Sequence, residues 1–162
     1  YNVNLENQLI LINIVDVMVD YVSLQPDIDQ SKVKAACIVA QKIDITRVIG
    51  TVNVARCIDP QNAKDEALLD LVIPALCYFT YARLLKMFQG TFTDSGFVIE
   101  GEAVDKNIAR STSNEMASIG EAFLTDVVAF LKLEDPNDEA VDEKKINPRI
   151  RVFGGKETRA SN

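Results

Sequence analysis

Apolar residues recur along most of this chain at three- and four-residue spacing, the period of helices with one buried face. The first clear stripe follows "SLQPDIDQ", where Pro26 stops one element and Asp27 and Asp29 offer N-caps for the next. Asp27 and Gln30 stand at capping-box spacing. A helix is predicted from Gln30 to Ile49, with Gly50 as the residue after its end. Val33, Ala36, Cys37 and Ala40 make its stripe, and Ile38, Ile45 and Ile49 widen it. Before it, Leu9 to Ile12 suits an arm or a short strand, and Asn13 is placed to cap a short helix over Ile14–Val22. The next helix is predicted over 63–89. Asp65, Glu66 and Asp70 load its start, and Arg83 and Lys86 its end, as the helix dipole favours. Between them "LVIPALCYFTYA" (Leu71 to Ala82) is apolar all round, which suits the middle of a bundle. It falls short of the roughly 20 apolar residues that a membrane span needs. Pro74 within it predicts a kink or a restart.

After Gly90 the period changes. "TFTDSGFVIEG" (Thr91 to Gly101) reads as a β-hairpin around Gly96. Its apolar residues Phe92, Phe97 and Ile99 exceed what a two-stranded hairpin covers by itself. They either fold back onto the bundle or pack against a neighbouring subunit. The last strong helix is predicted over Asn114–Leu133, capped by Ser113. Met116, Ile119, Phe123, Val127 and Phe130 or Leu131 form its stripe. The architecture expected is mainly α: a bundle of three to four helices over 1–133 with one small hairpin at 91–101.

Charge alters the picture at the C-terminal end. Net charge is −7, but residues 144–162 carry +5 and the first 143 carry −12. "EDPNDEAVDE" holds six acids in ten residues, so 134–145 reads as a solvated acidic linker. The remaining segment, 146–162, alternates apolar and basic residues. Ile150 and Val152 would share one face of a strand, with Arg149, Arg151 and Phe153 on the other. Together with Ile146 these residues are the candidate interface of an extended tail that adds a strand to another protein or subunit. An acidic body argues against gripping nucleic acid, because phosphate binding needs a cationic surface.

Composition narrows the chemistry. The chain is 48% hydrophobic and 25% charged, as ordinary globular domains are. It contains no histidine, so histidine triads and histidine metal sites are excluded. Cys37, Cys57 and Cys77 are odd in number, widely spaced and set among apolar residues, which predicts reduced structural thiols in an intracellular protein. "GGKET" (Gly154 to Thr158) lacks the upstream glycine of a phosphate loop and has Glu157 where serine or threonine belongs. "DPNDEA" from Asp135 lacks the glycine and the closing acid of a calcium loop. Capping and solvation account for the positions of the 24 acids. No catalytic, cofactor or metal residues are therefore assigned.

The order of elements, with "AQKIDITRVIG" (Ala40 to Gly50), "LLDLVIPALCYF" (Leu68 to Phe79) and "TDSGFV" (Thr93 to Val98), resembles the head–tail connector (adaptor) proteins of tailed phages. The crAss-like and Bacteroidetes branch is the nearest match in pattern, over about residues 12–133. The resemblance implies a non-enzymatic virion protein, assembled in the host cytoplasm. It implies a homo-oligomeric ring, commonly a dodecamer, between the portal protein and tail or further ring proteins. Such a ring extends the DNA channel without specific nucleic-acid binding and without a membrane partner. Two other readings stand beside it: another helical virion assembly or tail-completion component, and a cytosolic helical regulator whose apolar third helix lines a small-molecule pocket.

Overall fold

The structure, a computed structural model, describes residues 8–25, 27–88, 91–93, 96–98, 106–139, 141–142 and 146; for 91–93, 96–98 and 106 it describes the backbone alone. Five α-helices dominate it: α1 (Ile14–Met18), α2 (Gln30–Val39), α3 (Arg47–Ile58), α4 (Ala63–Met87) and α5 (Lys106–Glu134). A π-helical segment, Ala40–Thr46, joins α2 to α3 without a break. The fold is mainly α. Two short strands, β1 (Thr91–Thr93) and β2 (Gly96–Val98), pair antiparallel between α4 and α5, with Phe92 opposite Phe97 in register.

The most apolar stretch of the chain becomes the central helix. Leu68, Val72, Leu76 and Leu84 of α4 are fully buried. By length and composition α4 passes as a membrane span, but 67% of its most apolar stretch is buried inside the bundle, as in the core helix of a globular domain. It starts at Asn62, whose side chain accepts from the backbone N–H of Lys64 and Asp65. It runs through Pro74 as one helix rather than restarting there. The proline's missing donor leaves one turn short of a bond, and burial of the surrounding residues holds the helix together.

α5 is longer than its stripe predicts and packs antiparallel along α4, the most extensive helix pair in the fold. Three contacts give the register. The Ser113 hydroxyl donates to the Ala82 carbonyl at 2.8 Å. Gly120 lies so close to the Phe79 ring that an added Cβ would stand 3.2 Å from it. The Tyr78 and Phe123 rings stack at 5.6 Å and 9°. Ser113 is thus no helix cap. It is buried inside α5, and its hydroxyl bonds across the helix pair.

The segment from Gln30 to Ile58 differs most from a regular helix. Asp29 caps it as expected, accepting from the Ser31 N–H at 3.0 Å. In a continuous α-helix Ile45 and Ile49 would stand about 120° and 160° away from Val33. The wider π turn brings both back to the core, where each is fully buried. Ile38, assigned to the same stripe, is 48% exposed. Gly50 has φ 81°, a conformation open to glycine, and ends that helical run. The chain then restarts as a further helical stretch to Ile58. Asn13 makes no side-chain cap, and α1 stops at Met18, four residues earlier than its pattern suggests.

Candidate interaction surfaces

Two arginines lock helices of the bundle together. Arg56 on α3 makes a fork with Glu134 at the end of α5, Nη1 to Oε2 at 2.9 Å and Nη2 to Oε1 at 3.1 Å. Its Nε donates to Asp65 Oδ1 at 2.6 Å, and its Nη1 also reaches Asn53 Oδ1 at 3.2 Å. One guanidinium therefore joins α3, the first turn of α4 and the last turn of α5. Hydrogen bonding to Arg56 and to the Gln61 N–H holds the Asp65 carboxyl below its usual range. The Glu134 and Asp65 carboxylates raise Arg56 further. A second fork, Arg83 to Asp44 at 2.9 and 3.0 Å, ties α4 to the π segment and raises Arg83.

The three cysteines are free and buried. Burial pushes the Cys37 thiol up to about 11, a shift that the Thr80 hydroxyl partly offsets. It pushes Cys57 and Cys77 up to about 12. They are inert thiols at neutral pH. Among the described residues no group of three or more His, Cys, Asp or Glu is placed to hold a metal ion. A half-open cleft of about 360 Å³ lies between α1 and α2, lined by Ile12, Ile14, Asp16, Gln30, Ser31 and Lys34 among others. None of its lining residues comes from α4.

The outside of the bundle carries large apolar side chains. Ile12 is 87% exposed, Leu133 86%, Val52 70% and Ile108 53%. Extending the α4–α5 register places exposed Met87 opposite Ile108, at the end of the bundle from which the hairpin leaves.

Of the expected interface residues, Phe92 and Phe97 are register partners on the hairpin backbone. Their side chains and Ile99 lie outside the described residues. In the tail, Ile146 is partly buried against the bundle's own core, so any strand that leaves the bundle begins beyond it. Arg149, Ile150, Arg151, Val152 and Phe153 lie outside the described residues. The acidic stretch before the tail is not solvated throughout. Val141 is buried in the core, and the Asp142 N–H donates to the Val48 carbonyl at 3.0 Å. The sequence reading missed the Arg56 hub, counting Asp65 as a dipole charge and Glu134 as linker. A lone arginine beside buried Cys57, in an otherwise uncharged helical stretch, was the available signal.

A family model spans residues 48–140, from α3 through the hairpin to the acidic stretch after α5. The chain belongs to the DUF6712 family, a family of unknown function. All three charged members of the Arg56 hub fall inside the matched span, whereas α1, α2, Asp44 and the tail fall outside it. No curated protein and no solved structure matches the chain.

Proposed function

We propose that this chain is a non-enzymatic assembly protein, a ring-forming connector between portal and tail of a tailed phage. One observation carries the assembly part of the reading. The ionic groups described above serve inter-helix locks, while Ile12, Val52, Ile108 and Leu133 stand in solvent. Exposed large apolar residues on a rigid frame suit burial by neighbouring subunits. The portal-and-tail part rests on the resemblance of segment order. The −12 body is in keeping with a channel through which DNA slides, since like charge prevents sticking.

In this reading the hairpin, through Phe92, Phe97 and Ile99, and the tail beyond Ile146 supply the contacts between copies or to the portal. Val152 and Ile150 give the docking strand an apolar face. Arg149 and Arg151 meet an acidic surface.

The experiment is deletion of residues 144–162. Helical circular dichroism is expected to stay near that of the full chain, and incorporation into the assembly to be lost. Because Ile146 touches the core, a small drop in melting temperature accompanies the deletion. Normal assembly by the shortened chain, or its outright unfolding, contradicts the role given to the tail.

A further inference from the structure

Negative charge collects at the end of the bundle where α3 stops, α4 starts and α5 stops. Residues 56–70 and 132–142 hold nine carboxylates and three cations, half of the −12 excess of the body. Asp65, Glu134 and Arg56 belong to the hub, whereas Asp59, Glu66, Asp70, Asp135 and Glu139 are exposed. Two large aliphatic side chains stand beside that hub. Val52 lies one turn before Arg56, on the same face of α3, and is 70% exposed. Leu133 adjoins Glu134 and is 86% exposed. The Arg56–Glu134 fork brings α3 to the end of α5, so Val52 and Leu133 flank one short stretch of surface with an acidic rim.

The path of the chain after α5 bears on what covers this surface. Glu134 is held at Arg56, near the end of α3, and the Asp142 N–H reaches the Val48 carbonyl, near its start. Ile146 then packs against the core. Beyond it the sequence continues for 16 residues, 147–162, enough to span about 50 Å when extended. They carry Arg149, Arg151, Lys156 and Arg159 against Glu157, with Ile150, Val152 and Phe153 among them. The root of the tail and the acidic surface therefore lie towards opposite ends of α3. That is the arrangement in which the tail of one copy meets the acidic end of the next, head to tail.

We propose that the acidic surface around Val52 and Leu133 is the docking site for residues 147–162 of a second copy of this chain. Ile150 and Val152 lie on Val52 and Leu133, and the long side chains of Arg149 and Arg151 reach the carboxylates at the rim. This rests on the reading of the tail as a contact between copies, and adds the place where it docks.

Two measurements on full-length chains test it. In the first, the receptor carries Arg149→Glu and Arg151→Glu, which disable its own tail and leave the acidic surface intact. A fluorescent synthetic peptide of residues 147–162 is expected to bind it saturably, and at least tenfold more weakly when the receptor also carries Leu133→Lys. Leu133 stands in solvent, so that change removes no core packing. No saturable binding up to millimolar chain, equal binding by the two receptors, or equal binding of a peptide with the same residues in scrambled order overturns the proposal. In the second, the tail variant and a chain carrying Leu133→Lys alone are sedimented separately and as a mixture. A joint species is expected only in the mixture, because only there do an intact tail and an intact acidic surface meet. A mixture that sediments as the sum of its parts overturns docking on a second copy. Success in both measurements, with native species that stay open chains, supports the docking site while contradicting the ring.

Discussion

Two parts of the described chain are held by different contacts. From Val48 onward, a charged hub and ring contacts bridge the helices: Arg56 to Asp65 and Glu134, Tyr78 stacked on Phe123, and the Phe79 ring against Gly120, beside the Ser113 hydroxyl on the Ala82 carbonyl. Before Val48, the Gln41 amide bonds to the backbone of Gln8 and Ile10 and the Thr46 hydroxyl to the Gln41 carbonyl, while the Asp44–Arg83 fork ties this part to α4. The Arg56 hub depends on the identity of each of its side chains. The Gln41 contacts depend on one side chain and on the path of the main chain it meets. The family match begins at residue 48 and so contains the whole Arg56 hub and the α4–α5 pair. The comparison teaches that α2 and the π segment, although outside the match, belong to the same core, since Val33, Ala36, Cys37 and Ile45 are fully buried.

Breaking the frame is expected to cost most. Gly120→Val puts a branched side chain where even a single Cβ would be 3.2 Å from the Phe79 ring. It should destabilise the fold by about 3 kcal/mol, read from denaturant midpoints. Gly120→Ala should cost less, because alanine regains about 1 kcal/mol of helix propensity. Equal stability of the native chain and Gly120→Val shows that the α4–α5 seam is not closely packed.

Arg56→Ala comes next, at about 2 kcal/mol, because it leaves two carboxylates at the helix junction without their partner. Arg56→Lys should fall between native and alanine, since lysine keeps the charge but cannot form the fork. Urea titration of the three proteins checks the order. Lysine behaving like the native residue shows that charge alone matters there.

The smallest effect is one of pH. Asp65 is held below its usual range in the folded state, so folding favours its charged form. The stability this contributes is complete above the ordinary carboxylate pKa of about 4 and is lost as pH falls through the lower folded value. Asp65→Asn should therefore be less stable than the native chain at neutral pH, and the gap should narrow as pH falls below the ordinary carboxylate range. A gap that stays constant as pH falls from neutral through and below that range contradicts the Arg56–Asp65 linkage. The buried thiols act at the other end of the scale. Their raised values favour the protonated form in the fold, so their contribution fades as pH rises above about 9.

Much of the frame was legible in the sequence because it follows regular periods. The apolar run of α4, the Asp29 cap and the turn at Gly50 come from local patterns that tertiary contacts do not override; of the α5 stripe Val127 and Leu131 are buried and Met116, Phe123 and Phe130 partly so, whereas Ile119 stands outside the core and buried Leu124 outside the predicted stripe. The misses have one cause in common. The π turn, the buried Gln41, the cross-helix bond of Ser113 and the burial of Val141 each depend on contacts from distant segments. A period of 3.6 carries no sign that Ile45 and Ile49 need one wider turn to face inward. A serine before an amphipathic run looks the same whether it caps the helix or bridges to Ala82. The hairpin side chains and the tail beyond Ile146 lie outside the described residues, so that half of the candidate interface rests on its alternation and charge.

Self-association is the central claim, and particle mass in solution tests it most directly. Mass photometry and sedimentation velocity of the full 162-residue chain, 17.9 kDa as a monomer, should resolve closed multi-subunit species that grow with concentration. A single species at the monomer mass at every concentration, up to hundreds of micromolar, contradicts a ring-forming protein.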